Sequence, residues 1–575
     1  MANSTIPFQP KTVIEFPYTG DYRIDVMLYD LSKRWSKPGE AVTLTYSFTF
    51  LGFDKPNPSD PNGYSQFTEQ QRIATREILK TISQQVGITF VEKDESKGET
   101  GVLRFGNSYQ KNSLGETQVQ IPVFASVYLN GYDIGGLTDF VPGEQNYSTL
   151  IHEIGHALGL KHPGDYNGYA GSSKQKGNYL ASSEDTTLVS IMSYISGPQK
   201  QERDYFGKFD VLALRYLYGS VAYRTGNDTY EYSDLDGRVL KIIVDDGGVD
   251  TIKVSGASVG AKIDLTPGSN SSIGFTRLDA LAKDNLSIAF DAKIENVIGS
   301  AHSDSIILND EPNAIDGGNG TDTVKLSTSR LQSKLTKSTD ENGKTVLTIA
   351  DQNKTQNIDK LTSVETIQFS DMTIDTAAAE IARSISATAV QKIIELYIAY
   401  FNRVPDSGGM NYWMTQYKNG VSIEKIGESF YAAAISPTFS ALTGYSSAMG
   451  DEAFVRTIYK NVLGRTEVDQ EGLSYWTKAL ALPAGTKGAE TRGTLIDTIL
   501  SAAHSFKGKA DFGYVADLLD NKFAVGKYFS LDQGISYNTP EETYQKAVKI
   551  AEAVTATDTQ AAIKLIGVTD IDFTL

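Results

Sequence analysis

Hydrophobic and polar residues alternate along Val42–Phe50. Val42, Leu44, Tyr46, Phe48 and Phe50 are separated by Thr43, Thr45, Ser47 and Thr49. A period of two predicts a strand with one buried face. A Gly- and Pro-rich loop follows at 52–63. The period then lengthens. Thr68 and Gln71 form a capping-box pair, Ala74, Ile78, Ile82 and Val86 recur at helical spacing, and Gly87 stops the helix. Short strands are expected at Ile88–Glu92, Val102–Phe105 and Ala125–Leu129. Leu150, Ile151, Ile154, Ala157 and Leu158 suit a buried helix, and Asp210–Tyr218 reads as another, closed by Gly219. From Val221 the chain becomes short β segments with Asp and Gly between them. From about Asp375 it becomes helical, with Ala- and Ile-rich periodic segments.

The candidate chemistry lies in Ser148–Pro163, S-T-L-I-H-E-I-G-H-A-L-G-L-K-H-P, which holds three of the five histidines in 575 residues. His152 and His156 are one helical turn apart and can reach one metal ion. Gly159 can take the left-handed conformation that ends the helix and brings His162 back to the same ion. Three neutral imidazoles with a fourth position open make a catalytic zinc site. Glu153 is then placed to take a proton from a water activated by the metal. The residues match H-E-x-x-H-x-x-G-x-x-H throughout, and S-I-M-S-Y follows at Ser190–Tyr194.

These segments resemble the metzincin zinc peptidases, and H-P-G-D-Y-N at His162–Asn167 is similar to the serralysin branch. W-S-K-P-G-E-A-V-T-L-T-Y-S-F from Trp35 resembles the opening of a serralysin domain. D-V-L-A-L-R-Y-L-Y-G from Asp210 resembles its last helix. The resemblance implies that Met192 packs beneath the metal. It also implies that Tyr194 is an extra, displaceable zinc ligand that later binds the oxyanion.

Calcium enters through the Asp- and Gly-rich region. G-G-N-G-T-D-T-V-K at Gly317–Lys325 matches the calcium-binding nonapeptide, with Gly318, Gly320 and Asp322 as its turn and ligand positions. Asp245–Ile252, with Asp245, Gly247 and Asp250, and Gly299–Ile307 are degraded copies. Such repeats need stacking, because each ion is shared between successive turns. R-T-G-N-D-T-Y at Arg224–Tyr230 resembles the serralysin segment that binds calcium at a domain junction, which implies Arg224, Gly226 and Asp228 as ligands. Asn227 and Asp228 depart from the usual order.

The helical region repeats. Tyr397, Arg403, Asp406, Gly409, Tyr412 and Trp413 recur as Tyr459, Arg465, Asp469, Gly472, Tyr475 and Trp476. This resembles a helical repeat module of secreted bacterial proteins. Its Asp-x-x-Gly segments read as helix caps ahead of ion sites.

Composition narrows the setting. The net charge of −17 argues against a nucleic-acid partner, and the absence of cysteine excludes disulfides and thiol chemistry. No apolar run is long enough to span a membrane, and the first residues lack a Sec-type signal. The last residues, D-I-D-F-T-L, put Asp572 before Phe573, Thr574 and Leu575. They resemble serralysin-type secretion signals, with Thr574 the departure, and imply a type I exporter as partner.

The expectation is therefore a multidomain chain. A loose N-terminus or pro-segment at 1–20 precedes an α+β metzincin catalytic domain at 21–220. A short calcium-binding parallel β-roll at 221–375 and an all-α repeat domain at 376–575 follow. The expected function is a secreted zinc endopeptidase of protein or peptide substrates, with one zinc and several calcium ions. A cell-surface partner would act through the helical domain. The alternative is a surface or S-layer-associated binding protein with a vestigial peptidase domain.

Overall fold

The computed structural model describes residues 19–29, 33–48, 64–94, 97–99, 101–108, 110, 113–130, 140–165, 179–353, 357–465, 467–568, 570 and 573–575. The expectations for residues 1–18, Thr49, Phe50, the loop 52–63, Tyr166, Asn167 and Asp572 lie outside them. The chain divides into two compact units, Met1–Glu311 and Pro312–Leu575.

The first unit opens with a sheet whose strands run in the spatial order Ile88–Glu92, Val42–Ser47, Leu103–Ser108, Phe124–Asn130 and Gly115–Gln120. The first four are parallel and the last is an antiparallel edge. Leu44, Tyr46, Leu103, Phe105, Ala125 and Val127 are buried. Helix Glu69–Gln85 starts at a capping box: the Thr68 hydroxyl accepts from Gln71 N–H, and the Gln71 side chain accepts from Thr68 N–H. Its buried Ala74, Ile78, Leu79 and Ile82 form one apolar face. The edge strand Gly115–Gln120 was not anticipated. G-E-T-Q-V-Q carries a single large apolar residue, so no alternation announces it.

Beyond residue 220 the unit is built of short parallel strands. Thr229–Tyr232 pairs with Thr251–Val254, which pairs with Asn296–Ile298. Lys241–Ile243 pairs with Leu286–Ile288, and Lys262–Asp264 with Ser305–Ile307. Ile243, Ile252, Ile263, Ile288, Val297 and Ile306 fill the interior. Strands this short hold their register because each buries a branched side chain against the next.

The second unit begins in the same style. Ala314–Asp316 pairs in parallel with Ile358–Thr362, and Thr323–Lys325 with Thr366–Gln368. An antiparallel hairpin, Ser333–Thr339 with Thr345–Asp351, interrupts this winding. Helices follow from Ala377 onward around a core that includes Ile393, Ile394, Phe430, Ile458, Leu495 and Leu519. The expected all-α domain needs a correction. Ile535–Tyr537 is a strand lying antiparallel to Met372–Asp375 and covering an edge that would otherwise be exposed.

The repeat motif is structural. Asp406 accepts from Gly409 N–H at 2.8 Å, and Asp469 from Gly472 N–H at 2.7 Å, each as a helix N-cap. The guanidinium of Arg403 lies over Tyr397, and that of Arg465 over Tyr459. Near the chain end, Phe573 and Leu575 are buried. The Phe573 carbonyl accepts from the Gln533 side chain. No helix among the described residues is long and apolar enough to cross a membrane.

Candidate metal-centred active site

Helix Gln145–Ala157 carries His152, Glu153 and His156, and its apolar side is buried. It ends in a Schellman turn. Leu160 N–H bonds Gly155 C=O at 2.9 Å, and Gly159 N–H bonds His156 C=O at 3.0 Å. Gly159 has φ +98°, and a Cβ there would lie 2.4 Å from Lys33 O, so glycine is needed on both counts. Trp35 and Tyr218 donate to the last carbonyls of the helix, those of Ala157 and Leu158. The turn brings His162 back to the helix.

The three imidazoles converge. His162 Nε2 lies 3.2 Å from His152 Nε2 and 3.0 Å from His156 Nε2. The other ring nitrogens are engaged: His152 Nδ1 donates to Ile191 O and His156 Nδ1 to Leu160 O, both at 2.8 Å. Those bonds put the protons on Nδ1 and leave Nε2 lone pairs facing one another. Lone pairs in contact repel, so the arrangement suits a shared cation. Tetrahedral zinc with Zn–N bonds of about 2.0–2.1 Å separates its nitrogens by about 3.3 Å, close to the spacing seen. Burial lowers the His152 pKa to about 4 and that of His156 to about 3, and holds His162 below both. All three are therefore neutral at physiological pH, the form in which an imidazole can bind a metal.

Glu153 is buried beside them, and burial raises its pKa to about 8. Its Oε2 accepts from the Thr117 hydroxyl at 2.6 Å, on the edge strand. A Cβ at Gly115 would lie 2.7 Å from Glu153 Cγ, so this strand approaches closely only as glycine. Met192 is fully buried, and a Cβ on Gly155 would lie 2.6 Å from its Sδ. Tyr194 is 64 % exposed, and its ring stacks on His152 at 5.8 Å and lies 4.2 Å from His162. Thr117, Gly115 and Gly155 escaped the sequence reading. Only the x positions of a motif and an unrecognised strand carried them.

A second cluster gathers Asp228, Asp245 and Asp250, with ligand-type oxygens within 4.8 Å of one another. Asp245 Oδ2 accepts from Tyr230 O–H at 2.5 Å, and Asp250 Oδ1 from Asp228 N–H at 2.7 Å. Asp250 Oδ2 is buried with no hydrogen-bond partner. Burial raises the pKa of both Asp245 and Asp250, and neighbouring carboxylates add to it. A buried carboxylate oxygen without a donor, among like charges, fits a hard cation. Gly247 has φ +141°. A Cβ on Gly248 would lie 2.0 Å from the Gly226 carbonyl, so the two turns touch. Arg224 has φ +53°, and its guanidinium covers Tyr230.

The full nonapeptide is placed differently. Gly318 and Gly320 take φ +93° and +134°, and Asp322 is buried. Its N–H donates to Glu365 Oε2 at 2.7 Å. Among the described residues it joins no group of three convergent acids. In the copy at Gly299–Ile307, Asp304 is taken up by the N–H groups of Ala261 and Ser300, each at 2.6 Å, and braces a turn.

The family description "Peptidase M10 serralysin C terminal" matches residues 213–406, and "Domain of unknown function (DUF4214)" matches 432–508. Serralysin G of Dickeya chrysanthemi is 32 % identical over 304 residues, covering 48 % of this chain and 62 % of its own length. Metallopeptidase AprA of Pseudomonas marginalis is 32 % identical over 311 residues, 48 % of this chain and 61 % of its own. Serralysin of Proteus mirabilis is 31 % identical over 317 residues, with the same two shares of 48 % and 61 %. The chain thus spans about three-fifths of the length of these relatives.

Proposed function

We propose that this serralysin-like chain, with its added C-terminal helical module, is a secreted zinc-dependent endopeptidase. The observation that carries the reading is the convergence of three Nε2 atoms beside a buried carboxyl group. His152, His156 and His162 would hold one zinc ion. Bound zinc supplies a Lewis acid that polarises the peptide carbonyl and acidifies a water. Beside the charge of a bound zinc the Glu153 carboxyl would return to its ionised form, in which it accepts that water's proton as the water attacks and then gives it to the leaving amine nitrogen. Thr117 holds Glu153 in place through its hydroxyl. Tyr194 donates its phenol O–H to the oxygen on which charge develops. Gly159 and Met192 shape the turn and the floor.

The same reading gives Asp228, Asp245 and Asp250 to a structural calcium ion, with Arg224, Gly226 and Gly247 contributing backbone carbonyls. Gly318, Gly320 and Asp322 would belong to a further calcium turn. A type I exporter would engage the terminal residues before the chain folds, since Phe573 and Leu575 are buried afterwards. The helical module would meet a cell-surface partner. Zinc content measured together with casein hydrolysis tests the enzyme reading. A protein that binds one zinc yet leaves casein intact would favour the vestigial, surface-binding alternative.

A further inference from the structure

Asp210 is fully buried, and three hydrogen bonds converge on its carboxylate. Oδ1 accepts from the Ser190 hydroxyl at 2.6 Å. Oδ2 accepts from Ile191 N–H at 2.8 Å and from Gly207 N–H at 2.6 Å. Ser190 Oγ in turn accepts from Met192 N–H at 2.9 Å. The Ile191 carbonyl accepts from His152 Nδ1–H at 2.8 Å. A carboxylate serving only as a helix cap would need only the bond to Gly207. The other two go to the turn that holds the imidazole.

Arg203 closes the opposite side. It is also buried, and it donates to the carbonyls of Thr187, Leu188, Tyr205 and Phe206. The segments before and after the turn are thus tied to one guanidinium, and the turn itself to one carboxylate.

We propose that Asp210 is a positioning residue. Through Ser190 and Ile191 it fixes the ring plane and the Nδ1–H tautomer of His152, and so presets the metal site. The inference rests on the zinc reading of the three histidines. Groups that orient a metal-binding imidazole from behind typically change metal affinity about 10–100-fold when removed.

The test titrates zinc into metal-stripped full-length protein against a competing chromophoric chelator. Wild type, Asp210→Ala, Asp210→Asn and Ser190→Ala are compared, with circular dichroism and melting of each zinc-free protein. Asp210→Ala should bind zinc about 10–100-fold more weakly. Asp210→Asn should restore most of the affinity. Its amide oxygen can accept from both N–H groups, and its amide nitrogen can donate to Ser190. General loosening of the core would not be repaired in this selective way. Should Asp210→Ala fail to fold, Ser190→Ala carries the test and should bind severalfold more weakly. Wild-type affinity in folded Asp210→Ala, or in Ser190→Ala where the former does not fold, overturns the proposal. So does an Asp210→Asn protein as weak as Asp210→Ala. Absence of zinc binding by the wild type would instead sink the zinc reading, and this proposal with it.

Discussion

The imidazole cluster of His152, His156 and His162 and the carboxylate cluster of Asp228, Asp245 and Asp250 each gather three ligand atoms. The imidazoles are neutral, and two of them are held from behind by the carbonyls of Ile191 and Leu160. The carboxyl groups repel one another once ionised, and one of their oxygens has no donor. The repulsion between neutral lone pairs is small beside that between charges, so neutral ligands can wait in place for an ion where charged ones resist being brought together without it. The first site should therefore be set before its metal arrives. The second should depend on its metal for order. That contrast can be pressed from both sides.

The largest effect is expected at Glu153. Glu153→Ala should keep one zinc per chain and lower peptide hydrolysis by about 10²–10⁴-fold, the range for losing a general base. Near wild-type turnover on a fluorogenic peptide would remove Glu153 from the proton path. Tyr194→Phe takes away a single donor to a developing charge. A fall in kcat of about 10–100-fold with unchanged zinc content is expected. An effect confined to KM would assign the phenol to substrate binding instead.

Calcium withdrawal should act on stability more than on chemistry. At a calcium concentration about 100-fold above the dissociation constant, binding contributes about 2.7 kcal/mol. Chelation should then lower the melting temperature of the first unit, Met1–Glu311, by about 4 °C. Asp250→Asn should lose most of that response to calcium. Identical melting curves with calcium and with chelator would break the contrast between the two clusters.

The smallest effect is a pH slope. In the calcium-free protein Asp245 and Asp250 have raised pKa values, so the folded state holds protons that the unfolded state releases above about pH 3.9. Stability should fall as pH rises from there through the folded values. Calcium should flatten the slope by favouring the ionised forms. The difference between wild type and Asp250→Asn, followed by melting from pH 4 to 7 without calcium, isolates this contribution. A difference that grows in the wild type's favour with rising pH would contradict it.

Much of the histidine site was legible because its determinants are local. The spacing of His152 and His156 is one helical turn, and Gly159 adopts the left-handed backbone that the return of His162 requires. The caps at Thr68, Asp406 and Asp469 were legible for the same reason. What stayed hidden depends on contacts far apart in the chain. Thr117 meets Glu153 across 36 residues, from a strand with almost no apolar pattern. Asp210 looked like an ordinary residue in the first turn of a helix, and its bonds to Ser190 and Ile191 appear only in three dimensions. The acidic turns show the reverse. Asp322 lies in the fullest calcium motif, yet the three-acid cluster forms from the degraded copy and the junction segment.

The contact between Gly155 and Met192 sets a limit on how this chain can vary. Every missense change at a glycine adds a Cβ, and at 155 that carbon would fall 2.6 Å from the Met192 sulfur and 3.3 Å from the Phe206 ring. Even alanine would force the floor of the site to move. Met192 is flexible, and Leu in its place would conserve volume at modest cost. The two positions therefore differ in mutational tolerance despite touching. A saturation library selected for zinc binding should leave position 155 almost empty of substitutions while admitting a few apolar ones at 192.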